Sequence, residues 1–456
     1  MINRLLSLGA CTLLLSACSL APPYQQPATP EGPAWEAPSS PAELPQRQAV
    51  FSDPALQRLI SLALENNRDL RLAALNVQAF EAQYRISRAA LVPTLDASLS
   101  GSRQRLPADV SGTGVTGISS QYSAGIGLTA YELDFFGRIR GLRDQALEQY
   151  LAQQESRRSV QIGLVSSVAS AYLTLVADRD LLELSNSTLA SEQQSLDLIE
   201  HKRRLGVSSE LELAQSRITV ESARASQALY QRQVTLDLNA LQQLLGTRVP
   251  DDLALPASLT DVKIAATPAL APSQLLQQRP DILAAEHQLR AANANIGAAR
   301  AALFPSISLT SSAGTLSPDL GGLFTGGSGT WLLAPALNLP LFDGGQRSAN
   351  VEVARTEQEI AVVTYQQTVE TAFREVADSL NTQQQFDHQL AAQAAQVAAN
   401  ERYLQLADQR FGQGVDSYLT RLDAQRSLFS ARQQLVSTRL AELNNRISLY
   451  KALGGS

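Results

Sequence analysis

The residues best suited to nucleophilic, redox or metal chemistry are few in this chain of 456 residues. It contains 2 cysteines and 3 histidines. His201, His287 and His388 stand in separate polar segments, without the spacing of metal ligands or of a catalytic triad. We therefore expect structural or solvated histidines. The sequence predicts no enzyme, no metal site and no diffusible cofactor.

One of the two cysteines, Cys18, is predicted to be chemically modified. An apolar run over residues 5–15 and two small residues precede Cys18, so residues 1–17 are typical of a secretory signal. The segment also resembles a bacterial lipobox, which predicts a covalent N-acyl diglyceride on Cys18. Residues 18–50 are rich in proline and predict an extended strap. Cys11 lies in the signal, so the mature chain can form no internal disulfide.

Charge and hydropathy limit the partners. The net charge is −6, whereas a nucleic-acid partner requires a basic surface. After the signal we expect no apolar stretch near the ~20 residues of a membrane helix. A mature chain that crosses a membrane would therefore have to do so as a β-barrel.

The chain contains one structural unit twice. Arg88–Pro93 (RAALVP) recurs as Arg300–Pro305 (RAALFP), and Gly206-Val207 recurs as Gly414-Val415. The first offset is 300 − 88 = 212, and the second is 414 − 206 = 208. We therefore divide the chain into repeat 1 (51–250), a linker (251–272) and repeat 2 (273–456).

Each repeat carries two segments of alternating character. Apolar residues occupy every second position, and Gly/Ser-rich loops separate the segments, as in membrane-crossing hairpins. The segments are 94–100, 121–130, 306–313 and 331–341. Pro335 should weaken the last one, because proline removes a ladder donor.

Long helices fill the remainder. Asp53-Pro54 predicts a helix start, and that helix should run to about Leu91. Gln346–Phe411 contains neither glycine nor proline, and as one helix it would extend ~100 Å. Glycine turns at Gly206 and Gly412–Gly414 should return each long helix as a second one. Two heptad seams in these helices favour partner helices that pack at shallow angles. The first seam consists of Val168, Leu175, Leu182, Leu189 and Leu196, and the second of Val362, Val369 and Val376.

Four strands cannot close a barrel, and open edges in lipid leave backbone groups without partners. Two copies would give eight strands, whose side chains largely fill the interior. Three copies would give twelve strands and an open conduit. The sequence thus favours a homotrimeric channel. A lipid-anchored helical periplasmic scaffold without a pore is the alternative from another class.

Four runs carry a resemblance to a known family. They are Arg300–Leu309, Leu422–Leu428, Glu65–Leu70 and Tyr450–Gly455. With the lipobox and the duplication, they resemble the TolC-like outer membrane factors, especially the OprM-type lipoprotein channels of drug efflux pumps. The resemblance implies a trimer with a 12-stranded β-barrel in the outer membrane and an α-helical barrel in the periplasm. It also implies a periplasmic adaptor and an inner-membrane RND-type pump as partners, and small-molecule export. Polypeptide secretion by the same architecture is the alternative.

The resemblance also places a gate. The family closes its periplasmic entrance with an apolar and an acidic ring, and the matching positions are Leu419 and Asp423. They lie four residues apart, hence on one helix face. The alternative is a packing leucine and a solvated carboxylate. Arg410 and Glu212 could form a latch across the tip, or could be ordinary surface charges.

Residues beside the two glycine turns are candidates for adaptor docking, although a basic helix end is often only a favourable dipole interaction. These residues are Arg203, Arg204, Gly206, Val207, Gly412, Gly414 and Val415. Trp331, Tyr122 and Tyr131 suit an aromatic girdle at the lipid interface, or simple packing in the barrel wall.

Overall fold

The computed structural model describes residues 20–30, 32–33, 35, 44–112 and 114–455. The predicted signal and Cys18 lie outside the described residues. Helices alternate with one antiparallel sheet, as the sequence predicted. The elements are α1 (Arg47–Val50), α2 (Pro54–Asn66), α3 (Arg68–Ala89), β1 (Asp96–Leu106), β2 (Gly117–Glu132), α4 (Arg138–Arg204), α5 (Glu210–Leu245), α6 (Pro272–Gln278), α7 (Pro280–Ala301), β3 (Ser306–Ser317), β4 (Gly329–Asn338), α8 (Gln346–Gly412) and α9 (Tyr418–Ala452).

The four predicted strands form one sheet in the order β1-β2-β3-β4, with every neighbouring pair antiparallel. β2 and β3 come from different repeats, so the sheet joins the two halves of the chain. Pro335 does not interrupt β4, which is an edge strand of this sheet, where proline is tolerated. Among the residues that the structure describes, β1 and β4 each have one edge without a neighbouring strand.

The register gives the sheet an apolar face and a polar one. Side chains of directly paired residues point to the same face. One row across the sheet consists of Ala97, Ile126, Ala313 and Trp331. The next row, on the opposite face, consists of Ser98, Gly125, Gly314 and Thr330. Ile126 is 60% exposed and Trp331 78% exposed, so none of the described residues covers this part of the apolar face.

A bulge near the end of β2 keeps its last aromatic on the apolar face. The register shifts between Leu128 and Tyr131, and Ala130 takes a φ of 49°. Tyr131 therefore pairs with Leu309 instead of falling on the opposite face. Its hydroxyl donates to the carbonyl oxygen of Leu91 at 2.8 Å. Tyr131 thus shares the apolar face with Trp331, and a girdle role stays a prediction.

The first helical segment starts as predicted but breaks earlier. Asp53 caps α2 by accepting a hydrogen bond from the Leu56 amide at 3.0 Å, with Pro54 at the first helical position. The expectation of one helix to about Leu91 is wrong. Asn67 separates α2 from α3, because its side-chain oxygen accepts from the Leu70 amide at 2.9 Å and starts a new helix.

Equivalent junctions in the two repeats make equivalent contacts. The Asn67 amide donates to the carbonyl oxygen of Leu244, near the end of α5, at 2.8 Å. Arg279 donates to the carbonyl oxygen of Ala452, at the end of α9, at 2.9 Å. The offsets are 279 − 67 = 212 and 452 − 244 = 208, the same as those between the repeated sequences. In both repeats, the side chain at this position therefore donates a hydrogen bond to a carbonyl group near the end of a helix.

The second long helix has the predicted extent. α4 and α8 each contain 67 residues, and α8 covers all of Gln346–Phe411. In α4 one window of 18 residues has the length and composition of a membrane-crossing helix, and more than half of that window is buried. The expectation that no stretch with the composition of a membrane helix follows the signal is therefore wrong. A buried core helix has the same composition, and Val168 and Leu175 of the predicted seam are fully buried.

The chain divides into two compact units, and each takes parts of both repeats. One contains Val77–Gln153 and Ala285–Tyr365, with the described N-terminal segment up to Ala28, and it holds the whole sheet. The other contains Thr29–Asn76, Gln154–Ala284 and Gln366–Ser456. Its main core surrounds the fully buried Tyr172 and includes Phe51, whose ring meets that of Tyr450 edge to face at 5.0 Å.

Candidate functional site

The two helical hairpins end in glycine turns, as predicted. Gly206 has a φ of 78° and Gly414 a φ of 73°, the left-handed conformation that glycine adopts without strain. After the first turn, Ser209 and Glu212 form a capping box at the start of α5. Both turns thus follow from local sequence.

A small apolar cluster packs the two hairpins together beside these turns. Ile199 of α4, Leu213 of α5, and Tyr418 and Leu422 of α9 are all at least 94% buried. Burial of side chains of this size stabilises by ~1.5–3 kcal/mol each. The cluster fixes the first turns of α9, and therefore also fixes which α9 side chains point away from the packed core.

The two predicted gate residues point away from this cluster. Leu419 is 56% exposed, and Asp423, one turn later, is also exposed, whereas Leu422 between them is buried. The Tyr403 hydroxyl donates to Asp423 Oδ2 at 3.4 Å. In the first repeat, Leu211 is 67% exposed. α9 thus presents an apolar and an acidic side chain in adjacent turns of one face.

The predicted latch between Arg410 and Glu212 is not formed within the chain. Arg410 binds Asp416 through two hydrogen bonds, of 2.6 and 2.9 Å, and this guanidinium lowers the pKa of the Asp416 carboxyl. Glu212 accepts from the Ser208 hydroxyl at 2.5 Å and from the Ser209 amide at 3.1 Å. These bonds, the Ser208 bond foremost, lower the pKa of Glu212. Arg410 and Glu212 are therefore each bonded to residues that are close to them in sequence.

The tip is basic and partly apolar. Arg203 pairs with Glu210 across the first turn, and the Lys202 ammonium lies 4.3 Å from the centre of the Phe411 ring. The valines that follow the two glycines, Val207 and Val415, are 71% and 59% exposed. Gly412 is the last residue of α8, and so precedes the second turn rather than forming its centre. The described contacts leave both valines uncovered.

The first described residues of the strap, 20–24, lie on one stripe of α7. The Arg300 guanidinium donates to the Leu20 carbonyl oxygen at 3.2 Å, and the Asn293 amide donates to that of Pro22 at 2.9 Å. Tyr24 lies over Arg290, 5.0 Å from guanidinium to ring centre. Burial, and then the nearby Glu286 carboxylate, raise the pKa of Tyr24 to about 12. The sequence predicted the strap, but not this binding stripe.

The histidines form no metal centre. Among the described residues, no group of three or more His, Cys, Asp and Glu side chains could hold a metal ion. His287 instead lies 2.6 Å from Glu148, between α7 and α4. This arrangement is an ion-pair or hydrogen-bond contact between two helices.

Comparison with known proteins gives the same assignment as the fold. A family model described as "Outer membrane efflux protein" matches residues 59–247 and 271–455. The chain is 51% identical to the antibiotic efflux pump outer membrane protein ArpC of Pseudomonas putida, over 100% of this chain and 96% of that one. It matches the toluene efflux pump outer membrane protein TtgC of Pseudomonas putida with the same identity and coverage.

A solved structure supports the assignment. The open state of the MtrE outer membrane channel of Neisseria gonorrhoeae is 38% identical and superimposes with a TM-score of 0.88, over 96% of this chain and 98% of that one. An amphipathic sheet, long helical hairpins and these relatives define an outer membrane channel with a periplasmic extension. The chain belongs to the outer membrane efflux protein family, and it serves as the outer membrane component of a tripartite efflux system.

Proposed function

We propose that three copies of the chain form the channel, with their sheets closed edge to edge into one 12-stranded barrel. The observation that supports this proposal most directly is the four-stranded sheet with an apolar face and two unpaired edges. In lipid each unpaired backbone group costs several kcal/mol, so β1 of one copy pairs with β4 of the next. The apolar row with Ile126 and Trp331 then faces lipid, and the row with Gly125 and Gly314 faces the lumen.

The proposed cargo is small molecules, including antibiotics and apolar solvents, because the relatives are named for antibiotic and toluene efflux. The chain acts as a passive conduit and not as an enzyme. A periplasmic adaptor docks at the tip beside Arg203, Arg204, Val207 and Val415, and an inner-membrane RND-type pump completes the system. The exposed valines and the basic residues there suit a partner with a mixed apolar and acidic surface.

The proposed lipid anchor on Cys18 is compatible with the position of the strap. Leu20, the first described residue, is held by Arg300 near the end of α7, and β3 begins at Ser306. Cys18 precedes Leu20 by two residues in the sequence, and two residues of extended chain span at most ~7 Å. An N-acyl diglyceride on Cys18 would therefore enter the membrane beside the barrel, with membrane lipid as its partner.

The proposed gate consists of two rings contributed by three chains. Leu419 forms an apolar ring and Asp423 an acidic one, because both side chains are exposed on one face of α9 beside the tip. The apolar ring excludes water, and the acidic ring favours cations and slows anions. Three carboxylates that converge on one axis repel one another.

Single-channel recording in planar bilayers tests the gate. The double variant L419A/D423A should show larger conductance and weaker cation preference than wild type. L236A is the matched control, since Leu236 is 52% exposed on α5, about 26 residues and ~40 Å of helix beyond the tip. The L236A channel should have the conductance and ion selectivity of wild type. Wild-type conductance and selectivity in the double variant would refute the placement of the gate.

A further inference from the structure

Two arginines interrupt the apolar face of the sheet at one of its ends. Arg103 and Arg105 of β1 pair with Ser120 and Ile118 of β2, and both arginines are exposed. Every second residue of a strand points to the same face, so both continue the series that begins at Ala97. On this strand, the apolar face therefore ends in two guanidinium groups.

These arginines lie at the end of the sheet that is remote from the helices. Each of the four strands adjoins a long helix at its other end, since β1 follows α3, β3 follows α7, β2 precedes α4 and β4 precedes α8. Arg103 and Arg105 instead come just before the loop that joins β1 to β2. Because the helices form the periplasmic extension, the two arginines lie at the outer rim of the proposed barrel.

Their position along the strand matches the boundary of the membrane. Arg105 follows Ala97 by eight residues (105 − 97 = 8), which correspond to ~26 Å of strand. At a strand tilt of ~40°, this length rises ~20 Å, most of the ~25 Å apolar band of such barrels. An arginine on the lipid face is strongly destabilising at the membrane midplane and nearly neutral beside the headgroups. The two side chains are therefore placed where headgroups begin.

The two positive charges have no counter-ion nearby. Within the part of the chain that the structure describes, neither guanidinium forms a salt bridge or donates a hydrogen bond. Their cross-strand neighbours, Ser120 and Ile118, are uncharged. Arg103 and Arg105 are two residues apart on one face, so their backbones lie within ~7 Å of each other and the like charges repel. An anion that reaches both guanidinium groups would remove this repulsion.

We propose that Arg103 and Arg105 bind the phosphate groups of lipopolysaccharide in the outer leaflet of the outer membrane. The proposal rests on the proposed barrel, in which the apolar face meets lipid. A guanidinium donates paired hydrogen bonds to phosphate oxygens, while its aliphatic stem lies along apolar surface. The Tyr122 ring covers Gly101, the preceding residue of the same series, where an added Cβ would lie 3.0 Å from the ring. The acyl chains of the bound lipid would lie against this ring and the apolar residues below it.

Native mass spectrometry of the detergent-extracted protein, titrated with diphosphoryl lipid A, tests the site. R103Q/R105Q should bind lipid A about tenfold more weakly than wild type, because the charged contacts to phosphate are lost. R103K/R105K should lose less affinity, since lysine keeps the charge but lacks the planar fork. R68Q/R71Q is the matched control, because it removes two exposed arginines from the start of α3. This control should bind lipid A as wild type does.

Equal binding of lipid A by wild type and R103Q/R105Q would overturn the proposal. Inorganic phosphate at the same concentration should not displace lipid A, because it lacks acyl chains; complete displacement would indicate a site for free anions and would also overturn it. The mass of the lipid-free particle tests the proposed trimer separately. A monomer whose lipid A binding still depends on Arg103 and Arg105 would contradict the barrel and support the phosphate site.

Discussion

Arg279 offers the sharpest test of how the helices are tied together. Its side chain is only 6% exposed and lies at the junction of α6 and α7. It forms paired hydrogen bonds with Asp281 at 2.8 and 2.9 Å and binds Glu375 of α8 at 2.5 Å. A further bond of 2.9 Å reaches the carbonyl oxygen of Ala452. One guanidinium thus connects α7, α8 and the end of α9.

Arg279→Met keeps most of the side-chain volume and removes every donor. Loss of one partner from a buried pair costs ~3–5 kcal/mol, because the remaining charge stays unpaired. The side chains of Asp281 and Glu375 are 35% and 38% exposed, so water recovers part of that loss. We expect a net loss of ~2–4 kcal/mol, which for a chain of 456 residues lowers the melting temperature by about 2–4 °C.

The assay is thermal unfolding in detergent, followed by helical circular dichroism at one scan rate. Arg279→Lys should fall between wild type and Arg279→Met, since lysine keeps the charge but lacks the planar fork. Arg410→Met is the control, because its pair with Asp416 is exposed, and it should melt as wild type does. A wild-type melting temperature for Arg279→Met would refute the view that this contact ties the three helices together.

Three further predictions concern other parts of the chain. Burial and the neighbouring Asp178 carboxylate of α4 raise the pKa of Asp237 to about 7, so the free energy of unfolding should fall as pH rises from about 4 to 7. Urea titrations of D237N should show no such fall, and a pH dependence equal to that of wild type would contradict this prediction. A Cβ at Gly314 would lie 2.2 Å from the Ala124 carbonyl oxygen, so G314A should reduce membrane insertion of the sheet, measured as heat-resistant folded protein. A Cβ at Gly297 would lie 2.8 Å from Ala21, so G297A should expose the strap to protease, and equal cleavage rates would count against strap binding there.

The sequence predicted the elements whose signals are local or periodic. Alternation located all four strands, and the absence of glycine and proline predicted α8. The break at Asn67 was missed because it depends on a side-chain cap and on a contact with Leu244, 177 residues away. Nothing in a helical period marks such a position as a junction.

Charge pairing was less predictable than the fold. A latch between Arg410 and Glu212 was one of two interpretations, but Arg410 instead binds Asp416, six residues away across the turn. Glu192 reads as an ordinary polar position of α4, and only its packing against α5 and α9 shows that it is buried. The exposure of Leu419 and Asp423 agrees with the face assigned from their spacing, and their place in a closed ring stays a prediction.

The most direct test of the central claim is the mass of the folded protein in detergent. The four-stranded sheet has two open edges in one chain, so closure requires further copies. Native mass spectrometry of the detergent-extracted protein should give three chains per particle, and unboiled samples should migrate as a trimer. A stable, folded monomer under the same conditions would contradict the barrel, the gate rings and the conduit together.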